Sequence, residues 1–342
     1  MSLADWEKAV ESPVSAADLR LLEQALFLFE QANVHLPDRQ SAGIDPLPPL
    51  RQLQDDLPET RNVLFSRLLE IFATFGDRHT RCLLPAPWNK SFAFLPFTVG
   101  KAAEAGQEHY IVTGSAEPDI PRGHEIFTWN GQPVADVLNH HMHIQLGANR
   151  AARTAKAIQT LTIRPLALMP APSGDVTLHI GEPGQPSRDI KLQWQVTDGA
   201  NLAERLASCR PPEMGFREAP AGCKLRTYER AGGTEIGWLK IPSLRLPPAE
   251  MIPALSSTLK KMPDAGLVLD LRGCEEGYIP TGEAMLQLFA EAPVDPIPFQ
   301  FRVTNWMLGL VAQTPSLASW RDAMTSAHKA GASYCSAQPL HA

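Results

Sequence analysis

Two short segments contain the residue types that acyl-transfer chemistry needs. Residues 76–80 read Gly-Asp-Arg-His-Thr and follow a predicted helix, so the carboxylate of Asp77 lies two positions before His79. Histidine is the side chain that most often serves as a general base near neutral pH. The segment therefore predicts His79 as a base, with a capping cluster at a helix end as the structural alternative.

The second segment, residues 270–277, reads Asp-Leu-Arg-Gly-Cys-Glu-Glu-Gly and follows a continuous apolar run. Such a run is typical of a buried parallel strand, and ligands of open α/β sheets collect beyond the carboxyl ends of strands. Backbone amides of this loop are candidates for an oxyanion hole, because glycine permits close approach. The structural alternative is that Gly273 only permits a turn and that Arg272 pairs with Asp270.

A helical region and a β module precede the second segment. Residues 1–82 are predicted to be helical, since Ser15 and Asp18 form a capping signal and leucines recur behind them at helical spacing. Residues 83–200 contain short strand patterns and an Asn-Gly pair at 130–131, which is a strong hairpin signal. The histidine segment is therefore expected between a helix and the β module.

A linker and an α/β region follow. The stretch 201–233 contains three prolines and is predicted to be a linker. Within 234–342, strand patterns at 236–241, 266–271 and 299–303 alternate with helical patterns. Strands that alternate with helices predict a right-handed parallel α/β layer.

Composition excludes several classes of partner. The chain has 31 Lys and Arg against 37 Asp and Glu, a net charge of −6, and no dense basic run, so no nucleic-acid partner is expected. No stretch approaches the roughly 20 apolar residues of a membrane span, so no membrane partner is expected either. The first ten residues do not form a signal peptide, which predicts a cytoplasmic protein, or a periplasmic or secreted one if an upstream signal was removed.

Metal and cofactor sites are not expected. The five cysteines are widely spaced and form no C-x-x-C pair, which argues against a disulfide framework and a structural zinc site. His140 and His143 share one face of a predicted helix, but no third ligand lies nearby in sequence. We interpret them as part of a solvated helix face.

The order of these features resembles the tail-specific, or C-terminal processing, serine peptidases, including the tricorn-core type. After the histidine segment 76–80, residues 121–126 and 129–134 resemble the hairpin of a PDZ-like module. Residues 236–243 resemble the first strand of the family's catalytic domain. Residues 266–273 then read Gly-Leu-Val-Leu-Asp-Leu-Arg-Gly, as the strand before the family's oxyanion loop does.

The resemblance covers most of 60–342 and implies an α+β multidomain protein. Its parts are an N-terminal helical region at 1–82, a PDZ-like β module at 83–200, a linker at 201–233 and an incomplete ClpP/crotonase-like α/β peptidase domain at 234–342. The implied activity is endoproteolysis of peptide or protein substrates by serine chemistry, without a metal or organic cofactor. In PDZ-like modules, a substrate C-terminus adds as an edge strand.

The resemblance also implies roles for four residues. His79 matches the family's general base in members that use a Ser-His-Glu arrangement, whereas members with a Ser-Lys dyad do not use it. Asp77 orients His79 or caps the local structure. Gly273 and Cys274 match the loop whose amides form the oxyanion hole.

The sequence departs from the family in two places. The family loop reads Arg-Gly-Asn followed by a glycine pair, whereas Glu275 and Glu276 here place negative charge beside a site that stabilises an oxyanion. The family's nucleophilic serine lies on a strand-to-helix turn further along the chain. The C-terminal serines, which do not follow a buried strand and partly fall in a helix predicted over 316–329, are Ser316, Ser319, Ser326, Ser333 and Ser336.

Three explanations fit these departures. The chain is a truncated portion of an active serine peptidase, or it is a pseudopeptidase that binds peptides or acts as a scaffold. In the third explanation His79 activates Cys274 as a nucleophile, although the acidic neighbours raise the pKa of that thiol and disfavour the thiolate. The apolar stretch 306–311 also predicts self-association through the incomplete C-terminal domain.

Overall fold

The computed structural model describes residues 1–147, 149–182, 185–209, 215–230, 232–274 and 276–339. The chain folds into two compact units. The first contains Met1–Pro211 and Phe301–Ser336, and the second contains Pro212–Gln300 and Ala337–Ala342. Among the described residues, no helix is long and apolar enough to cross a bilayer.

The N-terminal region is helical, as its capping and periodicity signals predict. Its helices are α1 (Leu3–Val10), α2 (Ala16–Phe27), α3 (Leu36–Ser41), α4 (Leu47–Asp55) and α5 (Arg61–Phe75), and a π-helical turn at Leu28–Ala32 extends α2. Ser15 caps α2, because its hydroxyl accepts from the Asp18 amide while the Asp18 carboxylate accepts from the Ser15 amide at 2.9 Å. The capping box thus fixes where α2 begins.

The β module consists of two antiparallel sheets. Its elements are β1 (Ser91–Phe94), β2 (Phe97–Glu104), β3 (Gln107–Ser115), β4 (Glu125–Trp129), β5 (Gln132–Pro133), α6 (Val134–His141), α7 (Arg150–Thr160), β6 (Ile163–Pro165), β7 (Val176–Gly181), β8 (Arg188–Leu192), β9 (Gln195–Asp198) and α8 (Gly199–Cys209). One sheet has the order β6-β1-β9, and the other has β2-β3-β4-β7-β8 with β5 paired to β4. Strand β2 therefore lies at an edge.

The predicted Asn-Gly hairpin joins β4 to β5. Asn130 and Gly131 have φ values of 50° and 76°, so both residues adopt the left-handed conformation that a tight two-residue turn needs. The hairpin signal in the sequence is confirmed.

One apolar core joins the N-terminal helices to the β module. Trp88, just before β1, packs edge-on against Trp6 of α1 and Phe65 of α5, with ring centroids 5.9 and 4.9 Å apart. The Arg61 guanidinium lies 5.0 Å from the Trp88 ring and pairs with the buried Asp18 carboxylate at 3.0 Å. The two regions that the sequence separates therefore share one core in the first unit.

The second unit contains the predicted parallel strand pair. Its elements are β10 (Arg217–Glu218), β11 (Lys224–Glu229), β12 (Glu235–Lys240), α9 (Pro248–Leu259), β13 (Leu267–Asp270), α10 (Ile279–Gln287), β14 (Pro298–Phe299) and β15 (Gln338–Pro339). The main sheet has the order β10-β11-β12-β13, and β12 runs parallel to β13 with α9 between them in the chain. Leu239, Met251 and Leu255 are buried in the core between this sheet and α9.

Two segments of this region differ from the prediction. The strand expected at 299–303 is only β14, which pairs antiparallel with β15 instead of joining the sheet. Pro298 and Pro339 face each other in that pair and lack amide donors, which keeps the ladder short. The stretch 201–233, predicted as a linker, holds most of α8 and all of β11, because its prolines lie outside both elements.

The C-terminal segment 301–336 packs in the first unit. It contains α11 (Asn305–Gln313), a 3-10 turn (Pro315–Trp320) and α12 (Arg321–Lys329), so the helix predicted over 316–329 is divided in two. Arg302 Nη1 donates to the carbonyl oxygens of Phe29 and Asn33 at 3.3 and 3.0 Å, and the Tyr334 hydroxyl donates to that of Val34 at 2.9 Å. These bonds attach the segment to the turn that follows α2.

Candidate functional site

The loop after α5 presents His79. Gly76 ends the helix with φ of 74°, a left-handed conformation that glycine adopts without a steric penalty. The Asp77 carboxylate accepts a hydrogen bond from the backbone N–H of His79 at 3.0 Å and another from the Thr80 hydroxyl. Asp77 thus fixes the backbone on both sides of the His79 side chain.

Asn33 supports this loop from the N-terminal helices. Its Nδ2 donates to Thr80 Oγ1 at 2.8 Å, and its Oδ1 accepts from the His35 backbone N–H at 2.9 Å. Its carbonyl oxygen accepts from Arg302, so the C-terminal segment holds the same turn. The sequence marks Asn33 only by an Asx-turn spacing to His35, which does not predict its contact with the histidine loop.

Asp77 is ionised, and His79 is exposed. Burial raises the pKa of the Asp77 carboxyl, but hydrogen bonds from Thr80 and His79 and the charges of His35 and His79 bring it below its usual range. The His79 ring is open to solvent and has no hydrogen-bond partner within the part of the chain that the structure describes. Of the two roles expected for Asp77, these contacts favour the capping role, because the carboxylate binds backbone rather than the ring.

Asp270 forms the buried carboxyl end of β13. It is 6% exposed and accepts from the Arg272 backbone N–H at 3.0 Å, from Arg272 Nε at 2.9 Å and from Nη2 at 2.7 Å. Trp238 Nε1 on β12 adds a fourth bond at 3.3 Å. The Arg272 bonds hold the pKa of the Asp270 carboxyl well below its usual range, although burial acts in the opposite direction. Arg272 is thus a structural partner of Asp270.

The two predicted oxyanion donors are not equivalent. Gly273 has φ of 85°, and open space lies where a side chain would project. The structure records no acceptor for its amide among the described residues, whereas the Cys274 amide donates to the Leu271 carbonyl oxygen at 3.0 Å. Of these two predicted donors, the Gly273 amide is therefore the one that is available to an incoming oxygen.

The environment of Cys274 does not favour a nucleophilic thiolate. Burial raises the pKa of the Cys274 thiol, and a hydrogen bond with the Leu244 backbone opposes this only in part. A raised pKa keeps the thiol protonated near neutral pH, and the thiolate is the reactive species. Glu276 forms an ion pair with Arg245, and Glu275 lies outside the described residues.

The predicted site residues fall into two groups. Asp77 and His79 lie together in the first unit, and Gly273 and Cys274 lie together in the second. The C-terminal serines that the structure places in helical segments are Ser316 and Ser319 in the 3-10 turn and Ser326 in α12.

Metal-ligating side chains do not cluster in the described part of the chain. Within it, no group of three or more His, Cys, Asp or Glu residues is placed to hold a metal ion. The rings of His140 and His143 lie 6.3 Å apart at the end of α6, as two members of a helix face do.

Strand β2 presents an open edge beside α7. Glu104 pairs with Gln107 across the two-residue turn at 105–106, and the register continues through Lys101 and Tyr110. The pair next to such a turn is hydrogen-bonded, and bonded and non-bonded pairs then alternate. The backbone N–H of Lys101 therefore points away from β3, toward the free edge.

The turn between β1 and β2 offers no free backbone donor. The Leu95 amide donates to the Thr162 carbonyl oxygen at 2.8 Å, and the Phe97 amide donates to the Leu95 carbonyl oxygen at 2.8 Å. Pro96, between them, has no N–H. A peptide that pairs antiparallel with β2 runs toward this turn with its C-terminal end, where the Leu95 and Phe97 amides are already bonded.

Comparison with protein families and curated proteins identifies the β module. Residues 91–206 match the family described as PDZ domain. A protein of Chlamydia trachomatis serovar D is 32% identical over 128 residues, which are 36% of this chain and 20% of that protein. An uncharacterized protein of Chlamydia muridarum is 28% identical over 128 residues with the same coverage. The similarity spans about a fifth of the length of these relatives.

Solved structures of CPAF share the fold. Mature CPAF matches with a TM-score of 0.68 and 18% identity over 94% of this chain and 74% of that chain. Mature CPAF complexed with lactacystin matches with a TM-score of 0.66 and 18% identity, over 94% of this chain and 74% of that chain. A serine-to-alanine mutant of CPAF matches with a TM-score of 0.69 and 17% identity, over 95% of this chain and 74% of that chain. The predicted α+β multidomain architecture is confirmed: N-terminal helices, a PDZ domain and a β-rich domain.

Asp77→Ala is expected to release the loop that carries His79. The variant loses the hydrogen bonds from the His79 amide and the Thr80 hydroxyl. The free energy of the open loop relative to the closed loop therefore falls by about 1.5 kcal/mol, and the population of the open loop rises roughly tenfold. Trypsin cleavage after Arg78 or Arg81, followed by mass spectrometry, is predicted to accelerate by that factor. Asp5→Ala, which removes a similar carboxylate–hydroxyl bond at α1, is the control, and equal acceleration in both variants contradicts a specific role for Asp77.

Asp270→Asn is expected to destabilise the second unit by about 2 kcal/mol, because it weakens the bonds from Arg272 and Trp238. The folded-state pKa of Asp270 is depressed, so its contribution is complete above the unfolded-state pKa of about 4 and is lost as pH falls toward the folded-state pKa. Urea denaturation at pH 7 and at pH 3 measures both effects, and hydrogen exchange of the β12 amides serves as the probe of unfolding.

The control for Asp270→Asn is Glu276→Gln. It removes the ion pair between Glu276 and Arg245, whose side chains are 51% and 69% exposed, respectively. We therefore expect the free energy of unfolding to change by less than about 1 kcal/mol. Equal effects of the two substitutions, or an Asp270→Asn effect that does not shrink in acid, contradict the assignment.

Proposed function

We propose that this chain is a serine-type endopeptidase of the tail-specific family in an inactive form and that its PDZ domain binds peptide or protein substrates. The observation that carries the proposal is a PDZ domain with an open β2 edge, in a chain that shares its fold with CPAF over 94% of its length. The order of the motifs at 76–80 and 266–273 supports the same family.

In this proposal His79 is the general base. Its exposed ring takes the proton of the attacking hydroxyl. The role that the family resemblance assigns to the Gly273 amide, in the second unit, is that of an oxyanion donor. Asp77 holds the loop by its bond to the His79 amide. The parallel pairing of β12 with β13 is compatible with a ClpP/crotonase-like layer, which this proposal assigns to the second unit.

The chain itself is proposed to bind substrate without cleaving it. Covalent acyl transfer needs an activated nucleophile next to the base. No described serine is hydrogen-bonded to the His79 ring, and the Cys274 thiol has a raised pKa.

The open β2 edge does not discriminate between an internal peptide segment and a free C-terminus. Backbone N–H groups on the outer side of β2, such as that of Lys101, bind the carbonyl groups of any extended chain. A C-terminal carboxylate gains nothing further at the β1–β2 turn, because the Leu95 and Phe97 amides are already engaged. Internal segments and chain ends are therefore expected to bind about equally well.

A non-catalytic peptide-binding scaffold is the second candidate. It is favoured by the oxyanion loop, where the Cys274 amide is bonded to the Leu271 carbonyl oxygen and does not donate to an incoming oxygen. In this case the PDZ domain keeps its binding mode, and His79 has no chemical role.

Lys101→Pro tests the binding mode. Proline removes the outward N–H of an edge position and leaves the β2–β3 ladder intact, so we expect peptide affinity to fall about tenfold, the equivalent of one hydrogen bond. Affinity is measured by fluorescence polarisation with an extended peptide whose C-terminus is amidated. Lys101→Ala is the matched control, because it removes the side chain and its ion pair with Glu108 but keeps the N–H.

Equal losses in Lys101→Pro and Lys101→Ala contradict strand addition at β2. The same peptide with a free carboxylate distinguishes the two modes of recognition. An affinity gain of tenfold or more for the free carboxylate contradicts the equal binding expected from the bonded amides of the β1–β2 turn.

Incubation of the purified chain with a denatured protein tests its catalytic competence. We expect no cleavage products by mass spectrometry while peptide binding persists. If the chain cleaves the substrate, and His79→Ala abolishes this cleavage while His109→Ala leaves it unchanged, the expectation is contradicted. The same result contradicts the second candidate, a non-catalytic peptide-binding scaffold. His109 is a suitable control because it is paired with Glu125, within the β module and away from the loop after α5.

A further inference from the structure

A Ser-His-Asp arrangement lies on the β7–β8 hairpin of the PDZ domain. His179 on β7 is directly opposite Asp189 on β8 in the antiparallel register. His179 Nδ1 lies 2.7 Å from Asp189 Oδ1, and His179 Nε2 lies 2.7 Å from Ser187 Oγ. The two ring nitrogens thus contact a carboxylate on one side and a hydroxyl on the other.

The chemistry of the three groups fixes the direction of the two hydrogen bonds. A carboxylate without a proton only accepts, so a His179 ring that carries a single proton donates it from Nδ1 to Asp189. Nε2 then carries the lone pair and accepts the Ser187 hydroxyl proton. A hydroxyl bonded to a histidine that a carboxylate orients is the arrangement of an activated serine nucleophile.

The sheet holds this arrangement in place. His179 lies between Leu178 and Ile180, which are buried in the core and fix the side of β7 on which the ring projects. A side chain at Gly181 would lie 3.1 Å from the Ser187 Cα, so glycine at this position permits the approach of Ser187. The geometry therefore depends on strand pairing and not on two flexible surface side chains alone.

The surroundings indicate which substrates fit. The side chains of His179 and Asp189 are 40% and 70% exposed, so a small molecule reaches the serine directly from solvent. The partly exposed Phe127 ring lies 6.0 Å from the His179 ring and offers an apolar surface for an aryl or short acyl group. An open site does not strengthen oxyanion stabilisation as an enclosed one does, which favours activated esters over peptide bonds.

We propose that Ser187, His179 and Asp189 form a second reactive site that hydrolyses small activated esters, independently of the proposed peptidase function. Ser187 Oγ attacks the ester carbonyl carbon as its proton passes to His179 Nε2. The ester C–O bond breaks, and the leaving alcohol or phenol takes the proton from the imidazolium. Water then attacks the acyl-serine, gives a proton through His179 back to Ser187 and releases the carboxylic acid.

An alkyl fluorophosphonate probe tests the site on the full chain. Ser187 attack forms a P–O bond and breaks the P–F bond, so fluoride leaves and the label stays on the serine. We expect one label per chain, located on Ser187 by peptide mass spectrometry and absent in Ser187→Ala. His179→Gln is expected to slow labelling about a hundredfold, the contribution of a general base.

Two variants control the experiment. His109→Gln removes another histidine whose Nδ1 contacts a carboxylate, that of Glu125 at 2.8 Å, and is expected to leave labelling unchanged. Ser41→Ala removes an exposed serine bonded to a backbone carbonyl and is also expected to have no effect. Hydrolysis of p-nitrophenyl acetate is expected to follow the same pattern across the variants.

The proposal is overturned by no labelling where an authentic serine hydrolase reacts, by a label on another residue, or by equal labelling rates with and without His179. Labelling that is lost in His79→Ala but kept in His179→Gln also overturns it and assigns the reactive serine to the proposed peptidase site. Loss of peptide binding in Lys101→Pro leaves the proposal untouched, so the two functions fail separately.

Discussion

Burial of the aromatic cluster around Trp88 holds the first unit together. Trp88 lies between the helices and β1, and its contacts with Trp6 and Phe65 place α1, α5 and the start of the β module around one core. Each such ring removes a large apolar surface from water and contributes about 2–3 kcal/mol when fully buried. The direction of α5 is thereby set, and with it the place where Gly76 ends the helix and presents His79.

The segments 76–80 and 270–277 contain the same local hydrogen bond between an aspartate and the backbone. The carboxylate of Asp77 accepts the backbone N–H of His79, and that of Asp270 accepts the backbone N–H of Arg272, two residues further along in each case. An aspartate that binds the backbone two residues on mimics a turn and fixes the chain where a helix or strand ends. These carboxylates therefore position their loops, and His79 and Gly273, which follow them, are exposed to solvent.

Signals that act over a few residues were predictable from the sequence. The Ser15–Asp18 capping box, the turn at 130–131 and the parallel pair at 236–241 and 266–271 each follow from local preferences and periodicity. The predicted α+β multidomain fold is shared with mature CPAF over 94% of the chain.

Contacts between distant parts of the chain were not predictable in the same way. The pairing of β11 with β12 lies in a stretch whose prolines suggested a linker, and Arg302 reaches the turn after α2 across about 270 residues. The bond from the Cys274 amide to Leu271 depends on the exact turn geometry, which glycine at 273 leaves undetermined in the sequence. Likewise, His179, Asp189 and Ser187 meet only because β7 and β8 pair in one register.

Amide chemical shifts of the PDZ domain, recorded during titration with an extended amidated peptide, test the central claim most directly. Strand addition at the open edge predicts large shifts and slower hydrogen exchange for the outward amide of Lys101, with little change at Leu95 and Phe97, whose amides are already bonded. Shifts confined to the β1–β2 turn, or none in β2 at saturating peptide, contradict the account of how this chain binds its substrates.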